Sequence, residues 1–247
     1  MAVLSIDTSA AVAVALVAED GTLLAARSVD ERRRHAEQLA PMIAGVLAEA
    51  GLDRGDLTAV VGGTGPAPFT GLRVGLVTAR TLALAVGVPA LGVPSLDALA
   101  VQAVTDLALA PDDEVLVATD ARRKEVYWAR YRVVSQGGID GVPVVEPVAG
   151  PDVARPADLG DALAPPAAGR LVVVGEGATL YPDVLTVTDG APVQPDAAAL
   201  ARVALQRRDA GLDLPTEPLY LRRPDVQEPV AKPRVVPATG AVVGGDA

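Results

Sequence analysis

One pattern occurs twice in this chain, and it constrains the fold more than anything else. Ser5-Ile6-Asp7 closes an apolar run, a short turn follows, and a β-rich run resumes at Val12. Much later, Glu114 to Thr119 closes on Asp120. The polar turn Ala121-Arg122-Arg123-Lys124-Glu125 follows, and Val126 to Val134 resumes. A strand, an aspartate, a turn and a second strand, recurring at that separation, predict two duplicated α/β lobes.

The segments between the two copies agree. In a first lobe over residues 1–105, Thr22 to Ser28 completes an antiparallel meander. A helix follows through Leu39, Ile43, Val46, Leu47 and Ala50, whose spacing draws one apolar stripe; Pro41 lies in its first turn or kinks it. Thr58 to Val61 is a strand, Gly62 to Phe69 a loop, and Gly71 to Val86 a helix. Pro89 to Val93 is a strand, and Ser95 is placed to N-cap a helix over Leu96 to Val104. A second lobe over 106–224 contains the repeated unit, a strand at Leu171 to Val174, and a helix from Asp196 to Arg208. Beyond Pro224 the composition shifts to Pro, Val, Gly and Ala, so residues 225–247 are expected to form a flexible tail.

Composition removes whole classes of chemistry. With no cysteine there is no disulfide framework, thiolate nucleophile or zinc–thiolate site, and with His35 alone no two-histidine metal motif. A net charge of −10, from 21 Lys+Arg against 31 Asp+Glu, argues against a broad positive face for nucleic acid. Charged, proline- and glycine-containing segments interrupt the apolar stretches before any spans a bilayer. The N-terminus has no basic region before Asp7, so a soluble, cytoplasmic protein is expected.

Several motifs carry two readings each. Asp7-Thr8-Ser9, at a strand turn, has the groups to hold phosphate or a metal-bound water, and is equally ordinary turn chemistry. Gly62 to Gly75 matches neither a Walker A loop nor a dinucleotide fingerprint. It is a rigid strand-to-helix connection, with Thr70 as N-cap and Phe69 stapled to Val74; its helix start either binds an anion or simply fixes the helix. Gly75, Ala79 and Ala83 form a smooth groove that takes a helix of the same lobe or of a partner. His35 is a ligand, a base or a hydrogen-bonded structural histidine. Arg32-Arg33-Arg34 and Arg122-Arg123-Lys124 touch an anionic partner or lie solvated. Gly175-Glu176-Gly177-Ala178 admits an adenine ring or makes a tight turn into a helix.

Taken together, Ile6-Asp7-Thr8-Ser9, His35-Ala36-Glu37 with Leu39 and Pro41-Met42-Ile43, and Gly65-Pro66-Ala67-Pro68-Phe69-Thr70-Gly71-Leu72-Arg73-Val74-Gly75-Leu76 resemble the bacterial TsaB (YeaZ) family. Gly92 to Leu99, Asp120 to Tyr127, Gly175 to Ala178 and Pro218-Leu219-Tyr220-Leu221-Arg222 extend the resemblance over residues 2–223. The chain departs from the family at Ala67-Pro68, where Gly-Ser is usual, and at Ala36, where serine is common.

The resemblance implies a fold of two ribonuclease-H-like lobes, of the actin/Hsp70/sugar-kinase (ASKHA) superfamily. It implies a non-catalytic subunit that works with TsaD and TsaE to make N6-threonylcarbamoyladenosine beside the anticodon of tRNAs reading codons that start with A. TsaD, the paralogue with the histidine metal site, transfers the threonylcarbamoyl group, and TsaE is an ATPase. No catalytic residue, metal or intrinsic cofactor is then expected here: ATP and metal belong to the partner subunits, and tRNA is held through the complex. In the family the first two helices build the interface with TsaD or, alone, with a second TsaB. Carried onto this chain, that interface is Leu39, Ile43 and Leu47 with Gly75, Ala79 and Ala83, and Ala79→Arg is expected to abolish pairing in a folded monomer. Asp7, Thr8, Ser9, Gly175 and Gly177 would be a vestigial nucleotide site. The alternative is an autonomous ATP-dependent phosphotransferase using those same residues. A peptidase reading, sometimes attached to relatives, is poor chemistry for a chain with one histidine and no cysteine.

Overall fold

A computed structural model describes residues 1–30, 35–138 and 141–222, without the side chains of His35 and Ala36. The readings of Arg32-Arg33-Arg34, the His35 imidazole and the tail at 225–247 therefore lie outside the described residues.

The repeat is real in space. The first sheet takes β1 (Ala2–Asp7), β2 (Val12–Ala18), β3 (Leu23–Val29), β4 (Leu57–Gly63) and β5 (Ala90–Val93) in the order β3-β2-β1-β4-β5. The second takes β6 (Glu114–Asp120), β7 (Val126–Ser135), β8 (Val144–Ala154) and β9 (Leu171–Val174) in the order β8-β7-β6-β9. Each opens with an antiparallel meander, then adds a parallel strand on the far side of its first strand. Asp7 opposite Ala13 and Asp120 opposite Val126 close the first hairpin of each sheet. Strand β8 carries Pro147 and Pro151. It is an edge strand, where a missing N–H costs no ladder bond if it faces outward.

Among the described residues, five helices fill the layers: α1 (His35–Ala50), α2 (Phe69–Val86), α3 (Ser95–Asp106), α4 (Glu176–Leu180) and α5 (Ala197–Asp209). Alternation along β1 sends Leu4 and Ile6 to one face, against Leu39, Ile43, Val46 and Leu47 of α1 and Ala79 and Ala83 of α2. Val3, with Ala13, Ala15 and Val17 of β2, meets Ala198, Leu200, Ala201 and Ala204 of α5 on the other face. Strands buried on both faces account for the unbroken apolar runs at the N-terminus. Helix α3 packs Leu96, Leu99 and Ala103 onto Val115, Val117 and Val174 of the second sheet. Helix α4 and two short 3-10 turns (Pro156–Asp158 and Asp161–Leu163) close that sheet's outer face. Helix α5 follows the second sheet in sequence yet lies on the first, so the lobes expected at 1–105 and 106–224 share it.

Two helix starts differ from expectation. Pro68, not Thr70, is the N-cap of α2, so Phe69 is the first helical residue and makes no staple to Val74. Its ring turns to Tyr220, with centroids 5.2 Å apart. Pro94, not Ser95, caps α3, which frees the Ser95 hydroxyl for another partner. Pro41 lies within α1, past its first turn. Among the described residues, α2 has the length and apolarity to cross a bilayer, contrary to the reading that every apolar stretch is too short. It also carries Arg73 and Arg80, and it packs onto the sheet through Leu72, Gly75, Leu76, Ala79 and Ala83.

Candidate functional site

The Asp7 corner is built from three elements and closed by them. Asp7 leaves the end of β1 buried, and its Oδ1 accepts from the Ser9 amide at 2.8 Å and the Ser9 hydroxyl at 2.6 Å. Its Oδ2 accepts from the Ser95 hydroxyl at the start of α3, at 2.6 Å. Burial pushes the Asp7 carboxyl above its ordinary value, against the opposing pull of the Ser9 and Ser95 hydrogen bonds. Thr8 is held as tightly. Its hydroxyl donates to the Gly71 carbonyl at 2.8 Å and accepts from the Gly75 amide at 3.1 Å, bridging two positions one turn apart on α2.

Two glycines make this closeness possible. A Cβ on Gly63 would stand 2.0 Å from Asp7 Oδ2, and one on Gly75 would stand 2.3 Å from Thr8 Oγ1. Gly75 thus serves the Asp7-Thr8 corner rather than a groove. With both carboxylate oxygens and the threonine hydroxyl engaged inside the protein, the corner does not fit a nucleotide phosphate or a metal-bound water. Sequence spacing had no means of finding Gly63 or Ser95, because both reach Asp7 only through tertiary contact.

Gly175 and Gly177 are brought to a different place. Gly175 ends β9 at φ 95°, and Cβ atoms on Gly175 and Gly177 would come within 2.3 and 2.9 Å of the Ala118 carbonyl on β6. The space an adenine would need against these backbones is taken by a strand. Among the described residues no group of three or more His, Asp and Glu is placed to hold a metal ion.

The helix pair resolves differently from its sequence reading. Leu39, Ile43, Leu47, Ala79 and Ala83 are all buried in this protein's own core, against the first sheet. The stripe is an inward face, because the sheet supplies the apolar partner the stripe requires. The outward face of α2 carries Arg73, Val77, Arg80 and Leu84, with Val77 60% and Leu84 84% exposed. The outward face of α1 carries Ala40, Ala44 and Ala48, exposed at a regular helical spacing. Next to α1, β3 exposes Leu23, Leu24 and Val29. None of these is among the interface residues carried over from the resemblance. Their signal was present in Val77 and Leu84, one heptad apart and off the inward stripe.

Two sheets of like topology, each opened by a strand that ends in aspartate and packed about shared helices, define a protein of two ribonuclease-H-like lobes, the architecture of actin, Hsp70 and sugar kinases. The model of the family described as TsaD, tRNA N6-adenosine threonylcarbamoyltransferase, matches residues 29–180. An uncharacterised protein of Mycobacterium leprae is 41% identical over 96% of this chain, which spans 60% of that protein's length. The tRNA threonylcarbamoyladenosine biosynthesis protein TsaB of Escherichia coli K12 is 32% identical, over 90% of this chain and 95% of its own. The solved structure of YeaZ from Pseudomonas aeruginosa superposes with a TM-score of 0.73 at 28% identity, covering 89% of this chain and 99% of that one. The chain belongs to the TsaB (YeaZ) family.

Proposed function

We propose that this chain is the non-catalytic subunit that pairs with the threonylcarbamoyltransferase TsaD and supports it in making N6-threonylcarbamoyladenosine in tRNA. The surface that supports this reading is the outward face of α1 and α2. Exposed Val77 and Leu84 stand as apolar knobs beside the small Ala40, Ala44 and Ala48, a shape suited to packing two further helices. The same face would pair two copies of this chain when TsaD is absent. TsaE would join the pair, and the ATP and metal of the reaction would be held by the partners. The closed Asp7 corner and the filled Gly175–Gly177 turn favour this reading over a phosphotransferase. Support of this kind requires that the chain bind one working state of TsaD better than others.

Reconstitution tests it. Modification of tRNA by TsaD, TsaE and threonylcarbamoyl-adenylate is expected to depend on addition of this chain. Equal product with and without it would overturn the proposal.

A further inference from the structure

The outward stripe of α2 alternates charge and bulk: Arg73, Val77, Arg80 and Leu84, all exposed and spaced four, three and four residues apart. That is the spacing of a seam between paired helices. A helix laid over Val77 and Leu84 therefore also covers Arg73 and Arg80. The chain as a whole is acidic, and Arg27, Arg132, Arg170 and Arg208 each meet one of its carboxylates. Among the described residues, Arg73 and Arg80 meet none.

The two arginines are held differently. The Arg73 guanidinium lies 3.5 Å over the Phe69 ring centroid, and its Nε donates to the Tyr220 hydroxyl at 2.9 Å. Tyr220 is fixed in turn: its ring lies against Phe69, and the amide of its neighbour Leu219 donates to the Thr64 carbonyl at 2.9 Å. Arg73 is thus set in place before a partner arrives, so it has less rotamer freedom to lose on docking. Arg80 makes no hydrogen bond or ion pair among the described residues.

A guanidinium covered by an apolar helix face with no anion opposite it is strongly unfavourable. We propose that Arg73 and Arg80 select the partner of this face: they fit TsaD helices that present carboxylates opposite them, a selection that rests on the docking face proposed above. A second copy of this chain offers no such match. Helix α2 has no acidic residue, and the carboxylates of α1, Glu37 and Glu49, already interact within the chain, Glu49 with Arg27. Two copies joined through this face cover the arginines of both and bring no unengaged α1 or α2 carboxylate to receive them. The arginines therefore favour TsaD over self-association.

The double variant Arg73→Gln/Arg80→Gln removes both charges and keeps long, helix-favouring side chains. Full-length wild type and variant are titrated with TsaD by calorimetry, and their self-association is followed by analytical ultracentrifugation. The variant is expected to bind TsaD at least about tenfold more weakly, because the carboxylates opposite lose their partners in a desolvated contact. Its self-association should be undiminished or tighter, because like charges have been removed. Leu84→Arg, measured alongside, should weaken both. If the double variant binds TsaD as wild type does while Leu84→Arg does not, charge selection is overturned and the docking face stands. Wild-type binding of TsaD by Leu84→Arg would overturn the docking face, and the selection with it. Equal loss of TsaD binding and self-association in the double variant would also overturn selection, since the arginines would then serve either partner alike. If circular dichroism shows the double variant unfolded, Arg80→Gln alone takes its place, with the same opposite responses expected.

Discussion

At the scale of single residues, the question at Asp7 is whether a buried carboxylate is kept for chemistry or for structure. Both of its oxygens are engaged by Ser9 and Ser95, and the hydroxyl of its neighbour Thr8 is committed to α2. A structural role has a pH signature. The raised carboxyl means that the folded state binds its proton more tightly than the unfolded state does, from burial. Its contribution to stability is therefore full below the unfolded value of 3.8 and is lost as pH rises through the higher folded value. Asparagine at this position keeps an acceptor for Ser9 and offers a donor to Ser95 without a buried charge. Asp7→Asn is expected to gain on wild type in urea midpoint as pH is raised from below 3.8 to neutrality. A difference that stays constant across that range would show that charge burial is not what Asp7 contributes. The Asp-Thr-Ser turn was visible in the sequence. That its groups are closed off was not, because Ser95 and Gly75 are remote along the chain.

At the scale of elements, periodicity located α1 and α2 but left open what covers their apolar stripe, and the interface carried over from the resemblance was laid on the face that the sheet covers. A stripe of Leu39, Ile43, Leu47, Ala79 and Ala83 satisfies a sheet as well as a partner, and only the sheet's position decides between them. The expected effect of Ala79→Arg changes accordingly. Ala79 is fully buried, and its methyl lies 3.3 Å from where a Cβ on Gly62 would stand, so arginine there would disrupt the monomer. The interface is instead probed at Leu84→Arg, an exposed position on the outward face. That variant should keep the wild-type circular dichroism spectrum and melt, while its capture of TsaD in a pull-down falls at least about tenfold, as expected for a charge placed in an apolar contact. Undiminished capture would move the interface elsewhere. The helix starts behave in a related way: Thr70 and Ser95 fit capping statistics, yet Pro68 and Pro94 hold the cap positions. Proline's fixed φ closes each loop, and the Ser95 hydroxyl is used at Asp7.

At the scale of the whole molecule, two sheets are joined through α3 and α5. The Ser5 hydroxyl donates to the Ala197 carbonyl at 2.5 Å, and Arg208 pairs with Glu19 at 2.8 Å, so α5 is tied to the first sheet from its first turn to its last. The chain's single tryptophan, Trp128, lies on β7 of the other sheet and reports on that lobe alone. If the shared helices make the lobes one cooperative unit, Leu200→Ala on α5 should cost about 2–5 kcal/mol through its cavity. Trp128 fluorescence and far-ultraviolet circular dichroism should then move together. Separate transitions, with Trp128 unmoved, would show lobes that unfold independently. The sequence by itself determined the duplication, the order of most elements and the absence of cysteine chemistry, because these rest on local pattern and residue count. Tertiary structure alone decided that Asp7 and Thr8 are closed, that the predicted interface stripe faces inward and that α5 lies on the first sheet. It also brought Tyr220 to Phe69 and Arg73 at the start of α2. Periodicity can show that a face must be buried or that a cation must find a partner. Which surface does so depends on contacts between residues far apart in the chain.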